Sequence, residues 1–186
     1  MEMHDFYIGK AFDAYDYFGA HRFEKNGREG FVFRVYAPGA EAVTLIGEFN
    51  GWQDTPMEPF GTGGVYECFV ENARAGMLYK YRIHQTDGRV LDRADPYGYA
   101  MELRPNSASV LVDLDYAFKD AAWLQKRAER PHYNEPMSIY EMHFGSWRRK
   151  AEEGPAGWYS YEALCGQLLD YVQKHGFTHV EFLPLT

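Results

Sequence analysis

Between Phe31 and Asp113, apolar and polar positions alternate in short runs separated by turn residues. Phe31-Val-Phe-Arg-Val-Tyr36 ends at Ala37-Pro-Gly-Ala40, and Ala42-Val-Thr-Leu-Ile-Gly-Glu-Phe49 runs into Asn50-Gly51-Trp52. Val65-Tyr-Glu-Cys-Phe-Val70 is separated from Leu78-Tyr-Lys-Tyr-Arg-Ile-His84 by Ala73-Arg-Ala-Gly76, and Ser109-Val-Leu-Val-Asp113 closes the set. Asp87-Gly88 is a hairpin signal, because both residues tolerate the positive φ of a tight turn. Strands at intervals of roughly 8–15 residues predict an immunoglobulin-like β-sandwich of about 85 residues.

After Asp115 the period changes. Residues 116–130 are polar and predicted to be partly helical, stopped by Pro131. Ser138-Ile-Tyr-Glu-Met-His143 reads as a strand. From Ser160 to His175 the residues Leu164, Leu168, Tyr171 and Val172 fall at helical spacing, with Gly176 placed to end the helix. Phe177-Thr-His-Val-Glu-Phe-Leu183 is a second strand. Strand, helix, strand in this order predicts a βαβ unit with parallel strands. One such unit leaves two edges open and one sheet face bare, whereas parallel sheets are covered on both faces. The expectation is therefore a β-sandwich with an N-terminal arm over 1–115, a linker over 116–137, and an incomplete α/β segment over 138–186. The chain reads as an N-terminal piece of a larger α/β protein, and the bare sheet predicts that it aggregates more readily than residues 1–130 alone.

Composition narrows the function. With 46% hydrophobic and 25% charged residues the chain is an ordinary globular one, not a disordered one. Asp and Glu outnumber Lys and Arg by 27 to 19, a net charge of −8, which speaks against nucleic acid as a partner. Aromatic residues reach 17%; their apolar faces fill cores and also stack on sugar rings. The two cysteines, Cys68 and Cys165, lie far apart, which fits a reducing compartment and a cytoplasmic location. No basic-then-apolar leader is visible, and no apolar run approaches the ~20 residues of a membrane span.

Candidate chemistry is sparse. Trp52 follows a strand and sits in a turn, where it either offers a face to a sugar or packs within its own domain or against a neighbouring one. In Tyr79-Lys80-Tyr81-Arg82 the two aromatics share one strand face and the two cations the other. This placement makes Lys80 either a donor to sugar hydroxyls or part of an ordinary charged outer face. Asp95 before Pro96 reads as a structural corner. Glu141 and Glu181 are the carboxylates of the two α/β strands, but both sit mid-strand and read as buried structural residues, not a glycosidase pair. His143 and Trp147, at and just beyond the first strand's end, are candidates for lining an active site. His175 and His179 are split by Gly176, no metal spacing is present, and no phosphate loop or nucleophile elbow is found, so no cofactor is expected.

Ser138-Ile-Tyr-Glu-Met-His-Phe-Gly-Ser-Trp-Arg-Arg149 followed by Phe177-Thr-His-Val-Glu-Phe-Leu-Pro-Leu185 resembles the opening of the catalytic barrel of bacterial 1,4-α-glucan (glycogen) branching enzymes. Gly19-Ala-His21, Phe33-Arg-Val-Tyr-Ala-Pro38, Gly47-Glu-Phe-Asn-Gly-Trp52, Leu78-Tyr-Lys-Tyr81 and Asp95-Pro-Tyr97 are similar to that family's N-terminal carbohydrate-binding module of family 48. The resemblance runs from about residue 15 to the end of the chain. It implies a (β/α)8 barrel of glycoside hydrolase family 13, completed in cis, and α-1,4-glucan or glycogen as partner. The implied reaction cleaves an α-1,4 link, holds the chain on an aspartate, and transfers it to a 6-hydroxyl. The three catalytic carboxylates belong to later barrel strands, so none is expected before Thr186 and the 186-residue chain alone is expected to be inactive. The same resemblance matches Trp52 to a stacking tryptophan and Lys80 to a sugar-contacting lysine, while the second stacking tryptophan falls near Val90. The sandwich motifs are shared with isoamylases and trehalohydrolases, and a stand-alone α-glucan-binding module is the other reading.

Overall fold

The computed structural model describes residues 1–186 apart from positions 62, 115, 131, 132 and 186, and apart from the side chains at 155 and 156. The boundary at Asp115, the stop at Pro131 and the end at Thr186 fall outside the described residues. The chain divides into two compact units, Met1–Ala117 and Phe118–Thr186.

The first unit opens with a short helix, α1 (Met3–Tyr7). Among the described residues ten strands follow: β1 (Gly19–Lys25), β2 (Arg28–Tyr36), β3 (Ala40–Gly47), β4 (Thr55–Pro56), β5 (Glu58–Phe60), β6 (Val65–Val70), β7 (Leu78–Gln85), β8 (Val90–Arg93), β9 (Ala100–Met101) and β10 (Ser109–Val110). One antiparallel sheet has the order β1-β2-β6-β5, and the other β4-β3-β7-β10-β9. Strand β8 shares the second edge of β7 with β10: β10 pairs with Leu78 and Tyr79, β8 with Tyr81 to His84. This is the sandwich that the alternating runs predict. Phe31, Phe33 and Val35 of β2 meet Val43 and Leu45 of β3 and Tyr79 and Tyr81 of β7 in one buried cluster. The Asp87-Gly88 turn forms, with Gly88 at φ +83° and His84 paired with Val90.

Several features depart from the sequence reading, beginning with the short strands β4, β5 and β9, which lie outside the predicted runs. Strand β1 lies in the N-terminal arm, ahead of the predicted start at Phe31. Its exposed half, Phe23 to Lys25, carries no alternating apolar signal, and the signal it does carry is the turn: Asn26 and Gly27 have φ of 55° and 75° and join Lys25 to its partner Arg28. The last strand is cut to Ser109–Val110, where the pairing turns irregular: the Leu111 amide still donates to Met77 O, but its carbonyl accepts from Gly76. Asp95 is a corner as expected, but a buried one at 5% exposure. Its carboxylate accepts from Tyr79 Oη (2.6 Å), Tyr81 Oη (3.2 Å) and the Tyr97 amide (2.8 Å), so a charge-bearing group links β7 to the turn at 95–97. Burial pushes the Asp95 carboxyl above its ordinary pKa despite these three donors, which act the other way. Around this corner Phe18 stacks on Tyr97, and Phe6 of α1 packs on Phe18 and Tyr36.

The second unit contains α2 (Ala121–Glu129), β11 (Ile139–Met142), the one-turn α3 (Phe144–Trp147), α4 (Tyr161–His175) and β12 (His179–Phe182). Strands β11 and β12 are parallel and pair Ile139 with His179 through Met142 with Phe182. Helix α4 starts where Ser160 Oγ accepts from the Ala163 amide at 3.2 Å, and ends at Gly176 with φ +73°. Its buried face, Leu164, Leu168 and Val172, packs with Met142 and Phe144. The predicted βαβ unit is therefore present. No helix among the described residues is long and apolar enough to cross a membrane.

Candidate functional site

Because Tyr79 and Tyr81 turn into the core, Lys80 and Arg82 project from the outer face of the second sheet. Thr44 pairs with Arg82 and Ile46 with Lys80, so the same face of β3 lies beside them. Arg82 grips Asp92 on β8 with two parallel bonds, Nε–Oδ1 at 2.8 Å and Nη2–Oδ2 at 3.1 Å. Its Nη1 also reaches both oxygens of Asp54 at 3.2 Å. Thr44 Oγ1 donates to Asp54 Oδ1 at 2.7 Å, and His84 Nε2 lies 3.5 Å from Thr44 Oγ1. The Thr44 hydrogen bond, with Arg82 beside it, holds the Asp54 carboxyl below the usual carboxylate range, and the Arg82 hydrogen bond does the same for Asp92. Two cations therefore stand with two carboxylates, and the face carries no net charge to attract a phosphate.

Trp52 stands at one end of this face. Gly47, the last residue of β3, is opposite Tyr79, and its carbonyl accepts from the Trp52 amide at 2.8 Å. The turn between is held by Asn50, whose Oδ1 accepts from the Gly47 amide. Its Nδ2 donates to Leu45 O, Gln53 O and Thr55 Oγ1. This clamp forces Gly51 and Trp52 into successive left-handed conformations, φ 64° and 62°. Gly51 adopts it freely, whereas for a tryptophan it costs of order 1–3 kcal/mol, a strain that surrounding bonds must hold in place. The indole is left 39% exposed. The Trp52 backbone is thus bonded to the end of β3, while Lys80 stands on β7 opposite Ile46. Lys80 Nζ donates to Ser107 Oγ at 3.2 Å. Val90, at the position where a second aromatic was expected, is exposed on β8 opposite His84. Asn50 was not singled out by sequence, although Asn-Gly after a strand is a readable sign of a fixed turn.

In the second unit the two lining candidates have internal partners. His143 Nδ1 accepts from the Ser146 amide at 3.1 Å, capping α3, and lies 2.8 Å from Ser146 Oγ. Trp147 Nε1 donates to Tyr140 Oη at 2.9 Å, and its ring packs edge-on to Tyr171. Glu141 and Glu181 are not buried, as the sequence reading had them: they are exposed and directly opposite one another on β11 and β12. The reason is that α4 covers the sheet face bearing Tyr140, Met142 and Val180, and the face bearing the two glutamates has no cover among the described residues. His175 packs on Tyr171 and Phe177, while His179 Nδ1 lies 2.8 Å from Thr178 Oγ1, so the two histidines serve different contacts.

The sandwich thus presents a half-exposed tryptophan and an outer face of charged groups with no net charge. Residues 17–98 match the family model of carbohydrate-binding module 48, the isoamylase N-terminal domain. The chain as a whole is 41% identical, over 188 aligned residues, to a 1,4-alpha-glucan branching enzyme GlgB from Geobacillus stearothermophilus, and 47% identical over 158 residues to one from Nocardia farcinica. The first alignment covers 100% of this chain and 29% of the relative, the second 84% and 20%. The chain therefore spans under a third of the length of the curated relatives it matches, and is homologous to the N-terminal region of these larger enzymes. Among solved structures, a putative alpha amylase from Salmonella typhimurium superposes with a TM-score of 0.58 at 24% identity, over 91% of this chain and 25% of the other. The catalytic module of the pneumococcal glycogen-degrading protein SpuA, with an inhibitor, superposes with a TM-score of 0.61 at 18% identity, over 90% and 26%. At these identities the superpositions speak for the fold alone.

Proposed function

We propose that this chain is the N-terminal part of a 1,4-α-glucan branching enzyme of glycogen biosynthesis, acting in the cytoplasm. Residues 1–115 form its carbohydrate-binding module, 116–137 its linker, and 138–186 the first βαβ of a (β/α)8 barrel completed in cis. The observation that carries the reading is the identity of 41% across the entire chain, α/β unit included. A likeness confined to the sandwich would equally suit a debranching enzyme. The reaction is a retaining double displacement, in which one carboxylate attacks and holds the glucan and a second acts as acid and then base. Those carboxylates lie in later strands, and the present residues bind and support. The uncovered face of β11 and β12, with Glu141 and Glu181, turns to the barrel interior. The two free thiols, Cys68 and Cys165, fit a reducing compartment.

The enzyme reading is tested by incubating the product of the native gene with amylose and debranching the product. New α-1,6 branches support it, and an unbranched product removes it. The binding reading is tested on the chain itself. In a gel containing glycogen, Trp52→Ala is expected to abolish most of the retardation at unchanged melting temperature, since the indole is partly exposed. Equal retardation of the two proteins would show that the Trp52 face is not the contact.

A further inference from the structure

The loop from β11 to α4 holds a second partly exposed tryptophan, Trp158, at 51% exposure. The loop is pinched at its base, where Arg149 and Trp158 form an antiparallel bridge and the Lys150 amide donates to Gly157 O at 2.9 Å. Gly157 permits this crossing, because a Cβ there would run into the Lys150 carbonyl oxygen. The Arg149 guanidinium lies 4.2 Å from the centre of the Trp158 ring. The edge of the same ring sits 3.5 Å from where a Cβ on Gly145 would be, in the first turn of α3. Trp158 is thereby held next to the C-terminal end of β11. Ligands of parallel α/β folds bind outside the C-terminal ends of the strands.

Trp147, seven residues along from Tyr140, occupies the same region but has its indole N–H committed to Tyr140 and its ring to Tyr171 and Arg148. Trp158 has its ring oriented by a cation while half of its surface stays open. Such a ring loses little side-chain freedom on binding, and its face suits the apolar C–H face of a pyranose.

We propose that Trp158, oriented by Arg149, is an α-1,4-glucan contact at the strand ends of the α/β unit, separate from the Trp52 face. This rests on the α-glucan reading above, and the two are tested together. The chain contains four tryptophans, 52, 123, 147 and 158, hence four indole N–H signals in a ¹⁵N-labelled sample, each assigned by a Trp→Phe substitution. Titration of the unsubstituted chain with maltoheptaose is expected to shift the signals of Trp52 and Trp158 and leave that of Trp147 in place. Cellohexaose, whose β-1,4 chain is straight, is expected to shift neither. If Trp52 moves and Trp158 does not, the second contact is refuted and the glucan reading stands. If neither moves, both are refuted. An equal shift of Trp158 with cellohexaose refutes the α-glucan assignment of that ring.

Discussion

In the sandwich, twelve buried residues drawn from both sheets and their connections form one cluster, with Phe33, Leu45, Tyr79 and Tyr81 at most 1% exposed. In the α/β unit five buried residues lie between one helix and one face of two strands. The first unit is closed: each sheet has its apolar face against the other. The second is one-sided, so that Ile139 and Leu183 remain 49% and 40% exposed. The difference teaches that similar local patterning, strands with apolar residues on one side, leads to independent stability only where a second layer covers it. It also separates the two candidate surfaces by setting: Trp52 belongs to a sandwich of two facing sheets, while the strand ends near Trp158 belong to a two-stranded sheet covered on one face among the described residues.

The contrast is broken most directly by cutting the chain. Residues 1–117 alone are expected to melt cooperatively by near-ultraviolet circular dichroism, and residues 118–186 alone to show no cooperative transition. A sharp melt of the second piece would mean that its small core suffices. Within the sandwich, Asp95→Ala strands two tyrosine hydroxyls and an amide. It is expected to cost about 3 kcal/mol by urea unfolding, and a change under 1 kcal/mol would remove Asp95 from the core network. Its pH dependence has a defined sign. Since the folded carboxyl is raised above its unfolded value, the folded state binds the proton more tightly. The stability from this group is thus largest below the unfolded pKa and declines as pH rises through the folded one. Asp95→Asn should flatten that decline, and an unchanged pH profile would assign it to other groups.

Smaller effects sharpen the comparison. Ser160→Ala removes the cap of α4 and is expected to cost about 1 kcal/mol, read as faster amide exchange confined to that helix. Exchange that quickens in the sandwich as well would mean the two units unfold together. Glu181→Gln relieves two like charges facing each other across β11 and β12. It is expected to stabilise the α/β unit by about 0.5 kcal/mol and leave the sandwich unaltered. A destabilised unit would show that the pair has a partner holding both charges.

Much of this architecture was legible in the chain. The inward faces of β2, β3 and β7, the hairpin at Asp87-Gly88 and the α4 stop at Gly176 follow from local spacing and turn chemistry. Those signals act over a few residues and survive without knowledge of the rest. Strand β1 was passed over because an edge strand with polar sides shows no alternation, though its Asn26-Gly27 turn did. At the candidate site Trp52 and Lys80 could be named from sequence. The position of Lys80 opposite Ile46 depends on the β3–β7 register, and the turn that carries Trp52 depends on four hydrogen bonds of Asn50.

By itself, then, the sequence determined the main inward-facing strands, helix α4 and the family resemblance, since periodicity, turn residues and motif spacing are properties of the linear chain. Tertiary structure alone decided the fate of the polar and aromatic side chains. Asp95 is buried because β7 and the turn at 95–97 close over it, whereas Glu141 and Glu181, which look equally internal in sequence, are exposed because one sheet face has no layer above it. Trp147 turns inward to Tyr140, and Trp158 stays open beside Arg149. Burial is a property of what lies across the sheet, and residues distant in sequence supply it.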